Sequence, residues 1–196
     1  GYRAPGALTY QWYRSSGDAD SGYSMLSSAT TTPYDDTAAP APTITPGSAS
    51  ASDGTSTSFV ALSVSGQSAN AGAGKYFYAT VSATGASSAD TTHNRGYVGV
   101  GSLTYQWQRS AADSDASYSD IAGATTASYN DTGAPVDGSG RYYKVVENAT
   151  GAVQQIALPD RGYRAVAAIS LVTDGSVPFN FLAINMTTST IPSAMN

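Results

Sequence analysis

The sequence predicts an all-β chain: two tandem β-sandwich modules followed by an extra C-terminal strand segment. Three observations carry that reading. Leu8-Thr9-Tyr10-Gln11-Trp12 recurs as Leu103-Thr104-Tyr105-Gln106-Trp107, and residues 1–40 laid on residues 96–135 agree at 22 of 40 positions without a gap. Short runs alternate apolar and polar residues between Gly, Ser, Asp and Pro clusters, which is the period of half-buried strands. No segment carries a helical period.

In the first module, 1–95, Leu8, Tyr10 and Trp12 alternate with Thr9, Gln11 and Tyr13, so an inward-facing strand with Trp12 as a core anchor is expected. A polar loop over 15–24 follows, then two short strands around Met25-Leu26 and Tyr34-Asp35-Asp36-Thr37. Pro40 matches Pro135 at a spacing of 95, whereas Gly74 matches Gly140 at 66, so the first module carries an insert of 29 residues, 41–69. The insert ends in Phe59-Val60-Ala61-Leu62-Ser63-Val64, a run with strand character. Residues 74–86 then form a long strand that closes at Ala83-Thr84-Gly85. Its apolar parity is Phe77, Ala79 and Val81.

The second module, 96–164, repeats this plan without the insert, with Trp107 in the anchor position and Tyr143 and Val145 as the apolar parity of its long strand. Tyr76 and Tyr142, which open the long strands, are further anchor candidates. Gly-Tyr punctuates the repeats at Gly1-Tyr2, Gly96-Tyr97 and Gly162-Tyr163. A chain that opens on this punctuation is expected to be a processed form or the visible part of a longer protein. After Arg164 the repeat does not restart. The tail, 165–196, holds two apolar runs around Asp174-Gly175, a hairpin signal. Ile169, Leu171, Val177, Phe179 and Phe181 are its candidate inter-subunit strand residues.

Composition narrows the partners. Ser, Thr, Ala and Gly make up over half of the 196 residues, only 12% are charged, and the net charge is −5. Nine Lys and Arg cannot build the basic face that nucleic acid or an anionic membrane requires. No apolar run is long enough for a membrane span. Fourteen Tyr against four Phe suits rings buried at one end only. The chain has no Cys, so no disulfide can hold its sheets. Low charge with abundant Ser and Thr points to an extracellular or cell-surface protein.

Leu-Thr-Tyr-Gln-Trp, then Ala-Thr-Thr, then Gly-Arg-Tyr-Tyr-Lys-Val-Val resembles the tandem immunoglobulin-like modules of bacterial and archaeal surface proteins. Residues 48–64 look like the first two strands of a fibronectin type III repeat. The resemblance implies sandwiches of about seven strands in about 100 residues. The second repeat unit is too short for that, so it borrows strands or is completed by the insert or the tail. A sheet lacking a strand presents open backbone donors and acceptors. An incomplete sandwich beside spare apolar strands points to head-to-tail assembly with copies of the same chain by β-strand addition. The expected function is thus a structural filament or surface-layer subunit. An adhesin or carbohydrate-binding repeat, with Tyr13, Tyr23 and Tyr118 as stacking surfaces, and a passive spacer are the competing readings.

Candidate chemistry is sparse. Asp18 and Asp20, repeated as Asp113 and Asp115, are weak calcium candidates in loops that Asx turns also explain. His93 is the only His and sits in a polar segment with no nucleophile elbow nearby. Glu147, the only Glu, has no carboxylate partner singled out by sequence. No catalytic residue and no cofactor is expected. Asn130, Asn148 and Asn185 open N-glycosylation sequons, so covalent glycans are a candidate addition.

Overall fold

The computed structural model describes residue 4 and residues 6–168. The described residues form fifteen strands and no helix, and these strands belong to the unit Gly1–Val166. The first module contributes β1 (Thr9–Ser15) and β2 (Tyr23–Met25). The insert forms β3 (Thr43–Thr45), β4 (Ser48–Ala51) and β5 (Val60–Ser65), and β6 (Ser68–Asn70) follows at its edge. The first module resumes with β7 (Lys75–Ser82), β8 (Ala89–Asp90) and β9 (Asn94–Gly96). The second module contains β10 (Thr104–Ser110), β11 (Tyr118–Asp120), β12 (Ser128–Asp131), β13 (Arg141–Asn148), β14 (Gln155–Ile156) and β15 (Asp160–Gly162).

Two sheets are copies of each other. In the first, β2, β1, β7 and β8 run in that order, and β9 also pairs with β7; in the second, β11, β10, β13 and β14 do the same, with β15 on β13. Every ladder is antiparallel, and the registers coincide: Trp12 lies opposite Ala79 as Trp107 lies opposite Val145. Side-chain bonds repeat as well. Trp12 Nε1 donates to the Thr31 carbonyl and Trp107 Nε1 to that of Thr126, each at 2.9 Å. Gln11 Nε2 donates to the Leu26 carbonyl at 2.7 Å and Gln106 Nε2 to the Ile121 carbonyl at 2.9 Å.

The insert lies within the first module's stretch of sequence, and its strands β4 and β5 form a three-stranded sheet with β12, in the order β12, β5, β4, which is the alternative in which the insert completes the short second unit. Leu62 lies opposite Tyr129, and Ala51 opposite Leu62 on the other side. Parallel bridges from Ser48 to Leu158 and from Asp53 to Tyr163 tie β4 to the edge of the second sheet. The second module is therefore a two-layered sandwich that takes two strands from within the first module's sequence. The physical reason is burial. Val60, Leu62 and Val64 form one apolar face of β5, and they need an opposing apolar sheet.

That opposing face is the inward side of β10 and β13. Ala51, Val60, Leu62, Val64, Trp107 and Tyr143 belong to one buried cluster. Trp107, Tyr143 and Val145 are each fully buried. The core ring of β13 is thus Tyr143, whereas Tyr142, on the opposite parity, is half-buried. In the first module Tyr76 and Trp12 are likewise half-buried.

Strand formation itself depends on the shared hairpin. Ser128–Asp131 is strand β12 because β5 supplies its ladder partner. The equivalent residues 33–36 share the Tyr and the final Asp but open on Pro33, which has no backbone N–H, and they form no strand. A β-strand needs a neighbour for its backbone groups, and sequence propensity alone does not provide one.

Candidate functional site

The second module shows what its first-module counterpart lacks. The inward positions of the first sheet are Trp12 and Tyr10 on β1 and Phe77 and Ala79 on β7. Each repeats an inward position of β10 and β13, yet only Ala79 is buried. Phe77 is half-buried where Tyr143 is fully enclosed, and Asp36 is half-buried where Asp131 is 1% exposed. Trp12, Tyr34, Phe77, Gly96, Tyr97 and Val98 line a cleft of about 330 Å³. Trp12 and Tyr34 stack with ring centroids 6.5 Å apart. No counterpart of the β4–β5 hairpin lies over this face among the described residues.

An ion pair built from the repeat borders the cleft. Arg14 reaches Asp36 at 2.6 Å, as Arg109 reaches Asp131 at 2.6 Å. In the closed copy Asp131 also accepts the Tyr143 hydroxyl at 3.2 Å and the Gly133 amide at 3.0 Å. Burial, with Asp131 alongside, pushes the Tyr143 phenol up. Arg14 and Asp36 thus hold the segment around Tyr34 against β1 without a partner strand.

At the joint between the modules lies the one buried carboxylate among the described residues that ion pairing does not explain. Glu147 is fully buried on β13, and both its oxygens accept the Gly47 amide, at 3.2 and 3.3 Å. Burial raises its pKa above the ordinary carboxylate range, and the Gly47 amide draws it partway back. A side chain at position 47 would collide with Val64 and the Ser65 carbonyl. Glu147 is therefore a bond between the second sheet and the base of the inserted hairpin. Its parity with Tyr143 and Val145 was the signal that it faces inward.

The other candidates are engaged in local contacts. Asp18 binds Arg95 through both oxygens, at 2.6 and 2.5 Å, and Asp113 binds Arg161 at 2.7 and 2.5 Å. Those guanidiniums hold both carboxyls below the usual range. Each Arg lies so close over the backbone that a Cβ at Gly74 or Gly140 would sit 2.3 Å from its guanidinium. Asp20 accepts the Tyr23 hydroxyl and lies 2.6 Å from His93 Nδ1, and Asp115 accepts the Tyr118 hydroxyl. Among the described residues no group of three metal-ligating side chains occurs.

The surface tyrosines spend their ring faces on one another. Tyr13 stacks on Tyr78 with centroids 4.8 Å apart, Tyr78 stacks on His93 at 4.6 Å, and Tyr23 meets Tyr78 edge-on. Desolvation and the bond to Asp20 push the Tyr23 phenol up to about 12. In the second module Lys144 stands 4.1 Å over the Tyr118 ring. Asn130 is exposed on β12, and Asn148 is half-buried at the end of β13. Asn185 and the strand candidates Ile169, Leu171, Val177, Phe179 and Phe181 lie outside the described residues. No helix among the described residues is long and apolar enough to cross a membrane.

No family model matches the chain, and neither the curated proteins nor the solved structures yield a match.

Proposed function

We propose that this chain is a structural subunit of an extracellular filament or surface layer, assembled head to tail with copies of itself by β-strand addition. The observation that carries the reading is strand sharing. A sandwich in this molecule is completed by two strands from within its neighbour's sequence, while no strand among the described residues covers the equivalent face of the first module. Exchange of strands between modules is the same physics as exchange between subunits, since ladder bonds give affinity and alternate side chains give register. Heterologous contacts of this kind do not close on themselves, and so they extend into fibres.

In this reading the modules are immunoglobulin-like or fibronectin type III-like. The hairpin β4–β5 supplies the first two strands of the second sandwich, and Trp107 with Tyr143 fills the place of a disulfide. Glycans on Asn130 or Asn148 would sit outside the core. The role calls for no catalytic group and no cofactor. Tyr13 and Tyr78 stack on each other, which weighs against Tyr13 as a sugar-stacking surface.

Negative-stain microscopy and sedimentation of the full chain test the proposal. Regular fibres are expected, and removal of residues 165–196 should abolish them. Fibres that persist in the truncated protein would remove the tail from the assembly mechanism.

A further inference from the structure

The tail repeats the pattern of the inserted hairpin. Phe59-Val60-Ala61-Leu62-Ser63-Val64 aligns with Phe181-Leu182-Ala183-Ile184-Asn185-Met186: aromatic, aliphatic, alanine, aliphatic, polar, aliphatic. Asp53-Gly54 precedes the first run and Asp174-Gly175 the second, and a stretch suited to a strand precedes each Asp-Gly: 48–52 in the insert, 169–173 in the tail. In the hairpin that the structure describes, Val60, Leu62 and Val64 face the core, while Ala61 and Ser63 lie on the other parity. The same parity assigns Leu182, Ile184 and Met186 to an inward face. This is the one segment of the chain outside the described strands that carries the pattern.

We propose that residues 169–186 of one copy form the missing hairpin of another copy's first module, over Trp12, Tyr34 and Phe77. The inference rests on the filament reading above and names its donor and its register. The fit is chemical as well as topological. The acceptor face is aromatic and half-buried, and the three donor side chains are large aliphatics. Their counterparts in the second module, Val60, Leu62 and Val64, are buried against Trp107 and Tyr143.

Chain geometry selects a second copy as the source. The second module meets the first at the end of β10 and β13 marked by Thr104 and Asn148, where Gly101 donates to the Thr150 carbonyl and Gly151 lies against Pro42. The chain leaves at the opposite end, where Tyr163 bonds Ser52 and Ala165 bonds Ser56. The eight residues of β13 span about 26 Å. Residues 166–169 reach at most about 14 Å. The first module of the same molecule is out of reach, whereas a second copy stacked end to end offers its open face at the exit. The joint between subunits would then reproduce the joint within the chain, with a hairpin passed forward to the next sandwich.

Transferring the observed register fixes a test. Leu62 opposite Tyr129 becomes Ile184 opposite Tyr34, and Ala61 opposite Asn130 becomes Ala183 opposite Asp35. The chain contains no Cys, so a designed pair reports without background. Chains bearing Asp35→Cys are mixed with chains bearing Ala183→Cys and oxidised mildly. The expected product is a cross-linked dimer containing both variants, with the linked peptides identified by mass spectrometry; directly opposed strand positions allow this bond. Pairing Ala183→Cys with Asp36→Cys, one residue out of register, should cut the yield at least tenfold. A chain carrying both Asp35→Cys and Ala183→Cys that cross-links only within monomers overturns the proposal, as does equal yield in both registers. If fibres form and no link appears at Asp35, the donor assignment is wrong and the filament reading stands. If neither fibres nor links appear, both fail.

Discussion

Glu147 shows how one side chain can report on the joint. Its folded-state pKa is raised, so the neutral acid is the form that the fold prefers. Below the unfolded carboxyl value, about 4.3, the group is neutral in both states and no penalty exists. The penalty develops as pH rises from there through the folded pKa and is complete above it. Glu147→Gln should therefore raise the denaturation midpoint at pH 7 and converge with the unsubstituted protein near about pH 3.5. Equal midpoints at pH 7 would show that the Gly47 amide fully offsets burial. The two tryptophans offer a second reading at this scale. With Trp107 enclosed and Trp12 half-buried, a Trp107→Phe protein should show the stronger acrylamide quenching in its unassembled state. A Trp12→Phe protein should be nearly unquenched.

At the scale of elements, β5 is the strand on which the second sandwich depends although it lies in the first module's sequence. Leu62 is 2% exposed and packs in the second module's core. Leu62→Ala should cost about 2–5 kcal/mol. Hydrogen exchange should locate that loss in β13 and β12, with β1 and β7 much less affected. The long strands β1, β7, β10 and β13 were legible in the sequence because alternation, turn residues and duplication agree for each of them, whereas the strand expected at Tyr34-Asp35-Asp36-Thr37 does not form. The face each strand presents was legible too, as Tyr143 and Val145 show. Which of the insert and the tail completes the second module was not. Alternation reports which side of a strand is apolar, and says nothing about which distant segment will lie against it. The pair between Asp18 and Arg95 was not legible for a related reason: its partners are far apart in sequence.

For the whole molecule, the duplication carried most of the information. It identified the insert by length and the tail by its failure to repeat. Unequal completion of the two copies was visible only once the sheets were paired, when Ser128–Asp131 proved to have a neighbour that residues 33–36, which open on Pro33, lack among the described residues. The assembly proposal belongs at this scale, because it treats the open copy as the state that the closed copy reaches when a hairpin arrives.

The interleaving has one more consequence. The backbone passes between the modules three times: from Pro40 into β4, back from β5 into β7, and forward again from β9 into β10. A single linker would act as a swivel, and one protease cut would part the beads. Three crossings resist twisting, and a cut in any one of them leaves the halves tethered by the other two. The molecule is closer to a spliced rope than to a string of beads, and its tolerance of damage comes from the path of the chain.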